Sequence, residues 1–265
     1  MSELAFRDVR VAYGRGRRAQ LAVDGVDLTV RTGTTHGLVG ESGSGKSTLA
    51  RAAVGMATVS AGTITLDGAD LMRRAPARRR VQMVFQDPLA ALDPRMPVGL
   101  SVAEGLLATG QRLTRADREA RVRALLERVH VDPGRAGELP ASFSGGQRQR
   151  ITIARALAAD PAVLVADEIT SALDVSVQGV VLNLLRELQD ELALTMLFIS
   201  HNLAVVRYVS DEVSVMRAGR IVEHGPTGTV LAAPTDDYTS ELLRSVPVMG
   251  RPLDLEDDLE DAVDA

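Results

Sequence analysis

The sequence predicts an α/β protein: a parallel sheet covered on both faces, with antiparallel strands before it and a block of helices inserted into it. Three observations carry this reading. Short strand-like runs at residues 35–39, 81–85, 163–166 and 196–199 recur along the chain, the last two wholly apolar, each of strand length and each bounded by polar or turn residues. Helical spacing separates the later runs, most clearly in the stripe Val177, Val180, Val181, Leu184, Leu185 and Leu188, and strands alternating with helices build parallel sheets. Between the second and third runs the pattern becomes helical, which marks an insert.

The elements follow in order. Residues 4–11 and 26–30 alternate apolar and polar side chains and read as antiparallel strands, with Gly14 and Gly25 as breaks. The buried strand 35–39 enters a glycine-rich turn, and helix formers occupy 46–54 directly after it. Residues 63–66 before Asp67-Gly68 read as a hairpin strand, and 81–85 as a core strand. Pro88, Pro94 and Pro97 then interrupt the pattern. Over 97–141, Val122, Leu125, Leu126 and Val129 follow i, i+3, i+4, i+7 spacing, and Thr114 with Asp117 is placed as a capping box. Residues 213–216 and 221–222 read as a hairpin around Ala218-Gly219, followed by Pro226 and two short helices. The expected units are a core with its β subdomain (1–96 and 142–225), a helical subdomain (97–141), C-terminal helices (226–250) and an acidic tail (251–265).

Composition narrows the function classes. A chain of 265 residues with 45% apolar content can fill a large core. Its longest apolar runs fall far short of the roughly 20 residues that span a bilayer. Glu3, Arg7 and Asp8 break up the N-terminus where a signal peptide needs an apolar stretch, so export is not expected. The absence of cysteine excludes a disulfide framework and thiolate metal sites, and makes cytoplasmic residence the default expectation. The net charge of −5 is uneven, because residues 251–265 hold seven acids against Arg251. Such a segment is expected to be disordered, a solubilising terminus rather than a docking tail. The arginine runs Arg15-Gly16-Arg17-Arg18 and Arg78-Arg79-Arg80 lack interleaved aromatics, so they read as solvated faces and nucleic acid is not an expected partner.

Of the thirty basic side chains one is lysine, and Lys46 lies in Gly40-Glu41-Ser42-Gly43-Ser44-Gly45-Lys46-Ser47-Thr48. This satisfies G-x-x-x-x-G-K-[ST], in which a strand-to-helix turn aims backbone N–H groups at phosphates and the ammonium reaches the terminal ones. The other core runs also end in polar residues: 81–85 at Gln86, 163–166 at Asp167-Glu168, and 196–199 at Ser200-His201. Ligands of open α/β sheets gather at that carboxyl edge. Phosphoryl transfer needs charge stabilisation and a positioned water. Ser47 is suited to ligate Mg²⁺ and Asp167 to hold a water of its shell. Glu168 is the candidate to orient or deprotonate the attacking water, Gln86 to touch metal and water, and His201 to contact the terminal phosphate. A second glycine-rich helix start, Ser144-Gly145-Gly146-Gln147, suits another anion or is a plain N-cap.

The order of these motifs resembles the ATP-binding subunits of ABC transporters over nearly the whole chain: Walker A at 40–48, a Q-loop at Gln86, the signature at 144–147, Walker B ending at Asp167-Glu168, the D-loop Ser171-Ala172-Leu173-Asp174 and the switch residue His201. That family has a RecA-like P-loop NTPase core with an N-terminal antiparallel β subdomain and an inserted α-helical subdomain. The stretches 84–95, 171–178 and 237–243 look like the dipeptide and oligopeptide importer subfamily, which nickel and glutathione importers also resemble. The resemblance implies ATP and Mg²⁺ as ligands, with Tyr13 stacking on adenine. It also implies a second ATP-binding subunit, so that Ser144, Gly145, Gly146, Gln147 and Asp174 complete a site shared between two subunits. Two transmembrane permease subunits, and indirectly an extracytoplasmic substrate-binding protein, follow as expected partners, with this chain peripheral at the cytoplasmic face of the membrane. A soluble ABC ATPase acting on DNA or ribosomes is the alternative of another class. This chain departs from the pattern at Ile169, where proline usually stands and whose loss loosens that turn. It departs again at Phe143, at Gly99-Leu100 near the coupling surface, and in lacking a cysteine-bearing extension.

Overall fold

Alternation along the central strands sorts the core into two layers. In residues 163–166, Val163 and Val165 pack into one hydrophobic cluster while Leu164 and Ala166 pack into another. Residues 196–199 divide the same way, with Met196 and Phe198 opposite Leu197 and Ile199. Successive side chains of a strand point to opposite faces, so a strand apolar at every position must be covered on both sides. Each fully buried side chain of this size contributes about 1.5–3 kcal/mol relative to exposure.

The computed structural model describes residues 2–14, 20–73 and 75–244. In chain order, strands β1 (Leu4–Tyr13) and β2 (Gln20–Val30) come first, then β3 (Thr35–Val39) leading into helix α1 (Lys46–Ala53). The hairpin β4 (Val59–Leu66) and β5 (Ala69–Asp70), the short helix α2 (Ala75–Arg79) and β6 (Val81–Val84) follow. Helices α3 (Pro88–Ala91), α4 (Val98–Leu107) and α5 (Arg115–Arg128) precede two 3₁₀ turns and α6 (Gly145–Ala158). The chain continues through β7 (Val163–Asp167), α7 (Val175–Leu192), β8 (Thr195–Ile199), α8 (Leu203–Val209), β9 (Glu212–Arg217), β10 (Arg220–Pro226), α9 (Thr227–Ala232) and α10 (Asp237–Arg244).

The four-stranded antiparallel sheet has the order β2-β1-β4-β5, and the six-stranded sheet the order β10-β9-β3-β8-β7-β6. In the second, β9, β3, β8, β7 and β6 run parallel and β10 returns antiparallel on the outer edge. The carboxyl ends of β3, β6, β7 and β8 therefore share one edge. The first sheet and α1 cover one face through Phe6, Ile64, Leu49 and Ala53, while α4 to α8 cover the other. The inserted helices are tied at their base by Val98 N–H to Glu138 O (2.9 Å) and Gly99 N–H to Ala136 O (2.8 Å). Helix α4 meets α6 at Gly105, where a Cβ would lie 2.2 Å from Arg155 O.

Several boundaries differ from the sequence reading. β2 runs through Gly25, whose φ of 69° lets the strand bend beside the bulge at Asp8 rather than end. β6 stops at Val84, the last residue paired with β7, so Phe85 lies beyond the strand. In the α7 stripe Val180 is 49% exposed and Val177 packs on Gly146, so only the stripe from Val181 onward faces the core. Thr114 caps α5 by accepting Asp117 N–H at 3.2 Å, but the Asp117 carboxylate bonds the Thr114 hydroxyl instead of its backbone. The run 15–18 and the acidic tail lie outside the described residues. No described helix is long and apolar enough to cross a membrane.

Candidate nucleotide site

The glycine loop between β3 and α1 takes its shape from packing against backbone. Gly40 has φ 148°, and a Cβ there would sit 2.1 Å from Met216 O at the end of β9. Gly45 has φ 109°, with Ala22 O of β2 2.2 Å from its hypothetical Cβ. Both positions admit only glycine. Gly45 caps α1 without a side-chain bond, and the first turn carries no acid, which leaves its N–H groups and the positive helix end for an anion.

Lys46 follows, 4% exposed, with Nζ donating to Gly40 O and Glu41 O (both 2.7 Å) and to Ser44 Oγ (3.2 Å). Burial lowers its pKa, opposed by the negative charges of Glu168, Asp167 and Glu41. Ser47 Oγ donates to Asp167 Oδ1 at 2.8 Å. Burial raises the Asp167 pKa, with the Ser47 bond acting against it. A buried carboxylate facing a buried ammonium and a hydroxyl is a charged setting that a cation and phosphates would complete.

Glu168 adopts φ 49° at the end of β7. Its N–H donates to Ile199 O (3.0 Å), and its carbonyl accepts the Ser171 N–H (3.1 Å) and hydroxyl (2.9 Å). The carboxylate lies 3.3 Å from His201 Nδ1. Gln86 Nε2 donates to Ser171 Oγ at 3.0 Å, so Ser171 links Gln86 to the backbone of Glu168. Ile169, 1% exposed, is anchored in the core beside these bonds. The turn expected to loosen without proline is held by hydrogen bonds and burial.

A cavity of about 310 Å³ is lined by Ala22, Ser42, Gly43, Gly45, Lys46, Ser47, Thr48, Gln86 and Glu168. Asp167 and His201 stand one contact behind it, on Ser47 and Glu168. A neighbouring cavity of about 450 Å³ shares Ala22 and Gly43 and adds Tyr13, Leu21, Ala218 and Gly219. Tyr13 is 50% exposed there, its hydroxyl 3.5 Å from Thr48 Oγ1. Gly40, Glu41 and Ser44 do not line the main cavity but form the frame behind it. Ser144, Gly145, Gly146, Gln147 and Asp174 line neither. Ser144 and Gln147 form a full capping box on α6, and Asp174 caps α7 through Val177 N–H. Sequence reasoning missed the link through Ser171, and it missed Tyr238, whose hydroxyl accepts Glu41 N–H at 3.0 Å. The only signal for Tyr238 was its place in the stretch 237–243.

A buried parallel strand that turns through such a loop into a helix at the carboxyl edge of the sheet is the arrangement of the P-loop NTPases, and the chain has that fold. The ABC transporter family matches residues 23–171. The chain belongs to this family. It is 53% identical over 238 residues to a peptide import ATP-binding protein of Brucella abortus, covering 88% of this chain and 71% of that one. It is 45% identical over 260 residues to a D,D-dipeptide transport ATP-binding protein of Escherichia coli, covering 96% and 82%. Among solved structures, the dimeric cassette MJ0796 bound to ADP and phosphate superposes with TM-score 0.76 at 26% identity, covering 84% of this chain and 98% of that one. The cassette cbiO1 of Clostridium perfringens gives TM-score 0.77 at 28% identity, covering 87% and 90%.

Proposed function

We propose that this chain hydrolyses ATP to ADP and phosphate as the motor subunit of a peptide importer. The observation that carries the reading is the meeting of Lys46, Ser47, Gln86 and Glu168 on one cavity at the sheet edge. Loop N–H groups and Lys46 bind the phosphates, and the Tyr13 ring receives the base in the adjoining cavity. Glu168 takes the proton of the attacking water, while His201 orients that carboxylate and faces the terminal phosphate. The donor set fits Mg²⁺, a hard cation that takes oxygen ligands and keeps part of its water. Ser47 Oγ and the Gln86 amide oxygen would hold it and Asp167 its water, and the ion would neutralise phosphate charge.

The helix start at Ser144 lies outside the cavity, and this supports a second ATP-binding subunit supplying that element across a shared site. The MJ0796 cassette, dimeric with ADP and phosphate, supports the same arrangement. Exposed Leu100 and Leu107 on α4, at 54% and 74%, offer the inserted helices to transmembrane permeases at the inner face of the membrane. Peptide cargo rests on the names of the relatives.

The test is uptake of a labelled dipeptide into vesicles holding the chain with its permeases and a substrate-binding protein. Uptake that requires Mg·ATP and vanishes with Lys46→Ala is expected. Full ATPase activity without any peptide uptake would overturn the cargo, and equal uptake by Lys46→Ala would overturn the motor.

A further inference from the structure

The segment that closes the described chain has no part in the cavity, yet one of its side chains bonds the phosphate loop. Tyr238 of α10 is 2% exposed, and its hydroxyl oxygen accepts the N–H of Glu41 at 3.0 Å. That N–H belongs to the peptide unit whose carbonyl, Gly40 O, accepts from Lys46 Nζ at 2.7 Å. One peptide plane is thus held from both sides, by the ammonium on its C=O and by the phenol on its N–H. A peptide so held cannot rotate, and the loop beyond it starts from a set direction.

Tyr238 is itself clamped. The Arg217 guanidinium lies over its ring at 4.5 Å from the centroid. Its own N–H donates to Asp236 Oδ1 at 2.9 Å. Glu223 of β10 accepts from Thr235 N–H (2.7 Å), Thr235 Oγ1 (2.8 Å) and Asp236 N–H (3.3 Å), which fixes the approach to α10. Arg217 follows Met216, whose carbonyl excludes any side chain at Gly40. The end of β9 therefore braces the loop and the tyrosine together.

We infer that Tyr238 is a positioning residue of the nucleotide site: its hydroxyl fixes the Gly40–Glu41 peptide so that the loop and Lys46 hold their phosphate-binding arrangement before nucleotide arrives. The inference rests on the reading of residues 40–48 as the phosphate loop. It makes the placement of α10 a determinant of nucleotide affinity, although α10 contributes nothing to the cavity wall.

The experiment is Mg·ADP binding by the full chain carrying Tyr238→Phe, which deletes one hydroxyl and keeps the ring under Arg217. Affinity is expected to fall about 3- to 10-fold, the scale of one neutral hydrogen bond. Affinity within twofold of the parent overturns the inference whatever happens to the melting temperature. A second measurement uses the parent alone: amide hydrogen exchange at Glu41 without nucleotide is expected to be as slow as in β3, and exchange at the rate of an open loop overturns the inference without any variant. Lys46→Ala separates the two levels. If it binds Mg·ADP like the parent, the phosphate-loop reading fails. If it loses binding while Tyr238→Phe keeps it, only the positioning role fails.

Discussion

Replacing Glu168 by glutamine isolates the proposed base, because the bonds that shape its turn are made by backbone. The N–H to Ile199 O, and the carbonyl that receives both Ser171 donors, are untouched. The carboxylate's contact with His201 Nδ1 at 3.3 Å is lost, but that imidazole is 57% exposed, so the pair contributes about 0–1 kcal/mol. Folding stability should therefore change by less than about 1 kcal/mol. Turnover should fall far more. Losing a general base costs about 10²–10⁴ in rate, or roughly 3–5 kcal/mol of barrier. On the proposed reading Mg·ATP is held by the loop and Lys46, so its affinity is expected to stay within about threefold and the loss to appear in kcat and not in KM. The assay is phosphate release at saturating Mg·ATP by the chain with its membrane partners, alongside direct nucleotide binding and thermal melts. A kcat within about threefold of the parent refutes the assignment. A matched loss of affinity and rate refutes it too, since that would make Glu168 a support of the loop.

Other expectations follow from single contacts. Ser171→Ala cuts the link between Gln86 and Glu168, and should lower kcat about 3- to 10-fold with KM for ATP unchanged; a shift confined to KM contradicts this. Gly40→Ala drives a methyl into Met216 O at φ 148°, so it should destabilise by over about 2 kcal/mol in denaturant titration. Gly179→Ala, in the interior of α7 with open space around it, should stabilise by about 0.5–1 kcal/mol, and equal effects at the two sites would discredit the packing argument. His36 is buried, with Nε2 on Ser214 Oγ at 2.9 Å, and burial followed by His224 and Arg31 lowers its pKa to about 4. The unfolded chain binds that proton below its ordinary 6.5 and the folded chain does not until about 4. Stability is thus complete above 6.5 and falls by up to about 3 kcal/mol as pH drops through that window. His36→Gln should flatten the slope of melting temperature against pH there, and an unchanged slope would remove His36 as its cause.

Much of the fold was legible because its signals are local. The run 35–39 matched β3 residue for residue, since the glycine loop ends the strand at Val39, although two of its five buried residues, Thr35 and His36, are polar. Asp67-Gly68 marked the β4–β5 hairpin because both residues adopt positive φ. Where glycine bends a strand instead of ending it, as at Gly25, the sequence carries the same letter for both outcomes. At Val177 and Val180 the helical period holds but the depth of burial does not follow from it, because the first turns of α7 meet α6 at Gly146 and solvent before the core begins at Val181.

The site divides along the same line. By itself the sequence determined the glycine loop between β3 and α1, the strand-end placement of Gln86, Asp167, Glu168 and His201, and the family, because each motif is a short contiguous segment whose backbone needs are met by its neighbours. Only the tertiary structure decided that Ser171 joins Gln86 to Glu168, and that Tyr238 reaches Glu41 across 197 residues of chain. Those contacts depend on strand order, which sets β6 beside β7, and on how β9 and α10 meet the loop through Met216 and Tyr238. Such long-range placement is set by burying two faces of one sheet at once, and no local pattern encodes it.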